Sequence, residues 1–323
     1  MAGREQGEVR DGVELKHLDA ELFDGAGVTK RDLVDYLDAV APLILPELHD
    51  RPLTVLRVRP GQQPFMQKNL PAYAPEWIPT VAVWAQASHR EVRYPLAEDR
   101  RTLLWFAGQR AVEFHPTVLD VRGRVTHLVL DLDPPEGAGF ADVVRVALLV
   151  REALAGAGLE GGAKTSGSKG VHVLVPLAEG VSVDDAMAAT RAVAARTERL
   201  DPSVATTAFL KDERHGKVFV DPTRAGGASL ACAWSPRARP GVPVSFPVSW
   251  EALTDVHPSE FTLLTVPGLL AVSGSGGDPW RDLLPAPQAL PADLVAEGHT
   301  IPVPRVVAMH EGKRRARARR AEA

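Results

Sequence analysis

The sequence predicts an α+β protein, one unit of two packed α/β modules rather than a parallel Rossmann sheet. Three observations lead there. The chain has 323 residues, of which 45% are hydrophobic, enough to bury a sizeable core. Short Val- and Leu-rich runs of strand character alternate with longer stretches opened by capping residues. The connections are of mixed kind, with helices crossing between antiparallel as well as parallel strands, the pattern of an α+β sandwich.

From the N-terminus, residues 29–40 read as a helix, with Thr29 at the N-cap and Asp32 three residues on. Strands are expected near 53–59, 80–86 and 91–94. A second helix is expected over 99–112, where Leu103, Leu104, Phe106, Ala107 and Val112 supply an apolar face. Residues 125–131 read as a strand, followed by Gly137-Ala138-Gly139 and a Val- and Leu-rich helix over 140–156. The strand 171–175 leads to a helix from Ser182 to Arg199, with Asp185 at its capping-box position. Strands near 205–210, 217–221 and 228–233 complete the sheet. Pro236, Pro240, Pro243 and Pro247 then space an extended segment expected to wrap the core. Residues 259–271 read as a last helix, interrupted by Pro267-Gly268, and Gly274-Ser275-Gly276-Gly277 as a flexible break. The main folded unit is set at 1–283. Residues 284–323 are a Pro-rich extension, lying on the surface or serving as a linker, that ends in a basic tail.

The chemistry sits at strand ends. Side chains alternate faces along a strand, so Asp131 and Asp133 point the same way, about 7 Å apart. Two carboxylates at the end of an apolar strand repel each other and lose hydration, which a divalent cation relieves. Asp221 ends the run Val218-Phe219-Val220 and is the candidate third ligand. Oxygen-only ligands favour Mg²⁺ or Mn²⁺ over zinc, and two such ions side by side are the usual apparatus for in-line displacement at phosphorus. A DxD pair alone is equally well read as capping the turn before Pro134-Pro135. The segment Lys164-Thr165-Ser166-Gly167-Ser168-Lys169-Gly170-Val171-His172 tips the balance. Its glycines allow a tight turn that presents N–H groups, and Ser166, Ser168, Lys169 and His172 add side-chain donors, as a triphosphate cradle requires. It lacks the Gly-Lys-Ser/Thr order of a P-loop.

These residues carry a resemblance. The chain resembles the polymerase domain of bacterial DNA ligase D, of the archaeo-eukaryotic primase superfamily, over most of its length. The family's three motifs match Asp131-Leu132-Asp133-Pro134, Thr165 to His172, and Gly216-Lys217-Val218-Phe219-Val220-Asp221. Weaker echoes are Gln63 to Asn69, Ala74-Pro75-Glu76-Trp77, Glu113-Phe114-His115-Pro116 and Ser235 to Gly241. The resemblance implies an archaeo-eukaryotic primase-like fold with a palm like an RNA-recognition motif. It implies a template-directed nucleotidyltransferase that adds NTPs or dNTPs to a 3′-hydroxyl at DNA ends or gaps in non-homologous end joining. By position, Asp131, Asp133 and Asp221 would hold two Mn²⁺ or Mg²⁺ ions. Ser166, Lys169, His115, Arg214 and Arg237 would contact the nucleotide, Phe65 would pack on a template base, and Lys30 would lie near a downstream 5′-phosphate. A Ku homodimer and an ATP-dependent DNA ligase on separate chains are the partners implied.

The chain departs from the family at DNA-positioning sites. His17-Leu18-Asp19-Ala20 lacks an expected lysine, Met66 replaces a second aromatic, and Pro222 to Gly227 replaces the usual turn after the third aspartate, where Arg224 reads either as a new phosphate or base contact or as drift. Net charge is −4, and the segment from residue 313 carries +5, leaving −9 elsewhere. DNA contact by the body is therefore expected at local strips: Arg51, Arg57 and Arg59 with Lys68, and Arg237 with Arg239. A single cysteine, Cys232, excludes an internal disulfide and a cysteine-based zinc site. Neither a membrane-length apolar run nor a signal-peptide start is present, so the expected location is the cytoplasm, beside the nucleoid. Two rivals stand against the polymerase. One is a DNA-end-binding homologue with weakened synthesis, which would survive loss of the aspartates. The other is a metal phosphohydrolase using Asp131 and Asp133 as nucleophile and acid, which Pro135 disfavours.

Overall fold

The computed structural model describes residues 7–85, 89–272 and 278–303. The chain opens with a hairpin, β1 (Glu8–Arg10) and β2 (Val13–Leu15), and two helices, α1 (Lys30–Ala39) and α2 (Ala41–Leu48). Next come β3 (Leu53–Arg59), β4 (Gln62–Gln67), β5 (Thr80–Ala85), β6 (Arg90–Pro95), α3 (Arg100–Gly108) and β7 (Ala111–Pro116). A second half follows with β8 (His127–Asp133), α4 (Phe140–Ala155), β9 (Gly162–Thr165), β10 (Val171–Pro176), α5 (Val183–Leu200), β11 (Ala205–Thr206) and β12 (Val218–Asp221). The last elements are β13 (Pro247–Val248), α6 (Val266–Val272), α7 (Pro279–Leu283) and α8 (Ala292–Thr300). The class is the α+β one expected. A six-stranded mixed sheet runs β11-β12-β8-β10-β9-β13, a second sheet runs β4-β3-β7, and β5 pairs with β6.

The six-stranded and three-stranded sheets share one hydrophobic core. α4 and α5 cover the larger sheet, and Leu128, Leu130 and Leu132 on β8 are fully buried. Residues 228–233, expected as a sheet strand, instead run extended beside β7. Leu230 N donates to Pro116 O at 3.2 Å and Cys232 N to Phe114 O at 3.2 Å. This segment ties the β4-β3-β7 sheet to the larger one, since Lys164 on β9 bonds the Ala231 carbonyl.

Several expectations are corrected. The helix set at 99–112 ends at Gly108, because Gln109 caps it and Arg110 turns the chain at φ 58° into β7. The strand set at 205–210 stops at Thr206, and Lys211–Glu213 forms a 3₁₀ turn. The helix set at 259–271 is a 3₁₀ turn, Pro258–Glu260, followed by α6. The hairpin, α2, β4 and β9 were not foreseen. The expected flexible break at 274–277 and the basic tail lie outside the described residues. Residues 284–303 lie against the main body: Gln288 N donates to Pro176 O at 3.0 Å, and α8 packs on α5.

Candidate active site

A row of polar residues crosses four adjacent strands. Register pairs Lys164 of β9 with His172 of β10, His172 with Asp131 of β8, and Asp131 with Asp221 of β12. Directly opposed residues share a face, so all four side chains leave the sheet together. Asp133, two residues beyond Asp131, shares that face opposite Phe219.

The row opens into a cleft of about 420 Å³ lined by His115, Asp131, Asp133, Ser166, Ser168, Lys169, His172, Arg224, Arg237 and Arg239 among others. Asp131 Oδ2 accepts from Arg224 Nη2 at 2.9 Å, and Arg224 Nε lies 3.2 Å from Asp221 Oδ2. The guanidinium thus bridges the two carboxylates. Asp221 Oδ1 also accepts from Thr223 N at 2.8 Å and Thr223 Oγ1 at 2.7 Å. Asp131, though buried, is held below the usual carboxylate range by His172 and Arg224. Asp133 is pushed up by burial and by the like charge of Asp131.

These residues fit a divalent cation. The donors are all carboxylate oxygens on neighbouring strands, one is destabilised by like charge, and a protein cation already stands between the other two. Among the described residues, the one group of three potential ligands whose donor atoms all lie within 4.8 Å of one another is elsewhere, at His49, Asp50 and Glu98. None of those three lines the cleft, and Glu98 is engaged in accepting from Asp50 N at 3.0 Å.

The loop between β9 and β10 forms the opposite wall. Ser166 Oγ accepts from Ser168 N at 3.2 Å and Gly170 N at 3.0 Å, so these N–H groups turn inward rather than facing a ligand as expected. The hydroxyl hydrogen of Ser166 remains to donate. Gly167, at φ 66°, has Arg237 Cγ 2.6 Å from where a Cβ would stand, and at Gly170 a Cβ would meet Leu132 O at 2.3 Å. The tight turn therefore requires both glycines. Lys169 is exposed at the cleft.

A third wall comes from β7. His115 Nε2 lies 2.7 Å from Glu113 Oε2, Arg237 Nε 3.0 Å from the same oxygen, and Ala238 N donates to Glu113 Oε1 at 2.9 Å. Burial of Glu113 is outweighed by the His115 hydrogen bond and the Arg237 charge, which bring its pKa down to about 2. Burial lowers that of His115. Glu113 thus aims two cleft residues, a role the sequence reading did not assign. Lys164 was missed in the same way.

Other expected residues fall outside the cleft lining. Arg214 stacks over Phe219 at 3.8 Å, opposite Asp133, and donates to Ala208 O and Phe209 O. Phe65 on β4 is half-buried beneath Arg57 and Arg59, whose guanidinium carbons lie 5.7 and 5.2 Å from its ring centre. Arg57, expected in an exposed strip, is buried and held by Gln67, Tyr73 and Gln109. Its neighbour Lys68 is exposed. Lys30 is also buried, donating from Nζ to Lys16 O at 2.6 Å, and its burial and the nearby Arg110 draw its pKa down to about 8.

Comparison with known proteins identifies the family and the fold. The family described as LigD, primase-polymerase domain, matches residues 29–280. The multifunctional non-homologous end joining DNA repair protein LigD of Mycobacterium tuberculosis is 36% identical over 258 residues, covering 75% of this chain and 34% of that protein. The bifunctional non-homologous end joining protein LigD of Bacillus subtilis is 30% identical over 289 residues, covering 88% of this chain and 46% of its own length. The chain therefore spans between about a third and a half of these relatives. The solved polymerase domain of Mycobacterium tuberculosis ligase D, in complex with DNA, superimposes with a TM-score of 0.76 at 34% identity, covering 84% of this chain and 97% of that one.

Proposed function

The chain belongs to the LigD primase-polymerase family, and we propose that it is a template-directed nucleotidyltransferase extending a DNA 3′-hydroxyl with NTPs or dNTPs in end joining. The observation that carries this is the convergence, in one cleft, of Asp131 and Asp133 with Ser166, Ser168, Lys169, His172, His115 and Arg237. Asp221 stands beside Asp131 on the adjacent strand.

In this reading Asp131, Asp133 and Asp221 hold two divalent ions, Mn²⁺ or Mg²⁺. When bound, these activate the attacking 3′-hydroxyl and neutralise charge on the triphosphate. The protein's own part is positioning. Lys169, Arg237 and the Ser166 hydroxyl donate to phosphate oxygens, Ser168 and His172 complete that wall, and Glu113 keeps His115 and Arg237 aimed at it. Arg214 supports the Asp133 end from behind Phe219. The catalytic unit is residues 1–283, with 284–323 appended to it.

DNA ends or gapped duplex are the macromolecular substrate, a reading supported by the DNA complex of the similar ligase D domain. Phe65 under its two arginines, exposed Lys68 and, toward a downstream 5′-phosphate, Lys30 with Arg110 are the contacts proposed. A Ku homodimer and an ATP-dependent ligase on other chains are proposed partners. No described helix is long and apolar enough to cross a membrane, and we place the protein beside the nucleoid in the cytoplasm.

The test is extension of a labelled primer on a 5′-overhang template with each NTP and dNTP in Mn²⁺. Asp131→Ala should lose roughly a thousandfold or more in rate, since several kcal/mol of charge stabilisation goes with the ligand. Extension at the wild-type rate by that variant would refute the assignment. DNA binding without extension by the unaltered protein would favour the end-binding homologue.

A further inference from the structure

Lys164 has no solvent exposure, and the nucleotidyltransferase reading gives it no task. A primary amine buried to that degree is costly unless each hydrogen finds an acceptor. Three partners surround Nζ: Ser245 Oγ at 2.6 Å, His172 Nδ1 at 2.7 Å and Ala231 O at 2.8 Å. The Ser245 hydroxyl hydrogen is committed to Thr165 O at 2.8 Å, so toward Lys164 that oxygen accepts, and a carbonyl can only accept. The third hydrogen of the ammonium is then directed at Nδ1 of His172.

A neutral imidazole carries one hydrogen, and with Nδ1 accepting it must sit on Nε2. The far side of the ring agrees. Nε2 lies 3.4 Å from Asp131 Oδ1, where a lone pair would face a carboxylate and a hydrogen is favoured. Burial draws the Lys164 pKa down to about 7, while the Ser245 hydroxyl oxygen and the Ala231 carbonyl, both acceptors, favour the ammonium over the amine. A neutral amine could turn its lone pair to an Nδ1 hydrogen, but only by setting the Nε2 lone pair against Asp131.

We infer that Lys164 is a positioning residue that fixes His172 in the Nε2–H tautomer, so that the imidazole presents a donor, not an acceptor, to the cleft. The lock belongs to the sheet itself, because Lys164, His172 and Asp131 are successive cross-strand neighbours on β9, β10 and β8. Its consequence for a triphosphate rests on reading the cleft as a nucleotide site. There the Nε2 hydrogen, 3.4 Å from Asp131 Oδ1 and so only loosely held by it, would be shared with a phosphate oxygen, which an acceptor nitrogen would repel.

The experiment is ¹⁵N NMR of the full chain labelled at histidine, with the His172 signals assigned by their loss in His172→Gln, together with Mg–ATP titration by calorimetry. The unaltered protein should show an unprotonated Nδ1 and a protonated Nε2. Lys164→Met, which keeps the bulk and removes the donor, should mix the two tautomers and weaken Mg–ATP binding about tenfold, the scale of one charge-assisted hydrogen bond. A hydrogen on Nδ1 in the unaltered protein overturns the inference, whether or not the variant folds. So does an unchanged tautomer in a folded Lys164→Met protein. The expected tautomers without any Mg–ATP binding would bear out the lock and overturn the nucleotide reading instead.

Discussion

At the scale of single residues, Arg224 has the sharpest consequence. Its guanidinium stands between Asp131 and Asp221, two of the carboxylates proposed to hold the divalent ions, so under that proposal ion and arginine compete for them. Arg224 also borders a second cavity of about 410 Å³, formed with Met187, Arg191 and Val303, that offers its side chain room to withdraw. A part-buried charged hydrogen bond is worth about 1.5 kcal/mol, close to a factor of ten in an equilibrium constant. Arg224→Ala should therefore bind Mn²⁺ about tenfold more tightly in calorimetry without nucleotide. The same variant should melt lower than the unaltered protein in EDTA, because two carboxylates lose their counter-ion, and Mn²⁺ should close that gap. Equal Mn²⁺ affinities would show that the arginine does not occupy the ion's place. The acidic motif and the Ser-Gly turn were legible because their chemistry is local in sequence. Lys164 and Glu113 were not, since each works through a partner supplied by strand register: Lys164 reads as an ordinary strand lysine until β9 and β10 are paired.

At the scale of elements, what the sequence disclosed follows the same division between local and distant signals. The helix beginning after Thr29 was readable because its capping box is realised, with Asp32 N donating to Thr29 Oγ1 at 3.2 Å and Thr29 N to Asp32 Oδ2 at 2.6 Å. β7 was absorbed into the preceding helix because the break falls on Arg110, a non-glycine at positive φ that composition does not flag. α2 was hidden by Pro42 and Pro46, although both proline nitrogens are tolerated within so short a helix. α8 was hidden by Pro-rich flanks, and its docking is a tertiary event. A Cβ on Gly298 would lie 1.9 Å from Ala188 O of α5, and the Gly298 carbonyl accepts from Arg191 Nη2 at 3.1 Å. Gly298→Ala should consequently cost about 1–3 kcal/mol by overpacking, read as a lowered urea midpoint. A midpoint unchanged from the unaltered protein would mean that α8 does not rest on α5 in solution.

At the scale of the whole molecule, charge decides how DNA could be held. Of the expected positive strips, Arg51 and Arg57 are consumed by internal hydrogen bonds, Arg51 to the Thr117 and Glu47 carbonyls, which leaves Arg59 and Lys68 near Phe65 and the arginines of the cleft. A body carrying −9 repels a phosphate backbone at long range. The compensating cations are concentrated in Lys313 to Arg320, outside the described residues. The last described residue, Val303, lines the cavity shared with Pro222, Thr223 and Arg224. Counterion release makes each phosphate neutralised contribute about 0.9 to the slope of log affinity against log salt. Removal of residues 313–323, with their six basic side chains, should thus weaken duplex binding and flatten that slope by up to about 5. Mg–ATP affinity should not change, because the cleft's own donors are all retained. Fluorescence anisotropy of a labelled duplex across a salt series separates the possibilities. A slope equal to that of the full chain would place DNA recognition in the body despite its net negative charge, and would leave Phe65, Arg59, Lys68 and the cleft arginines to account for it.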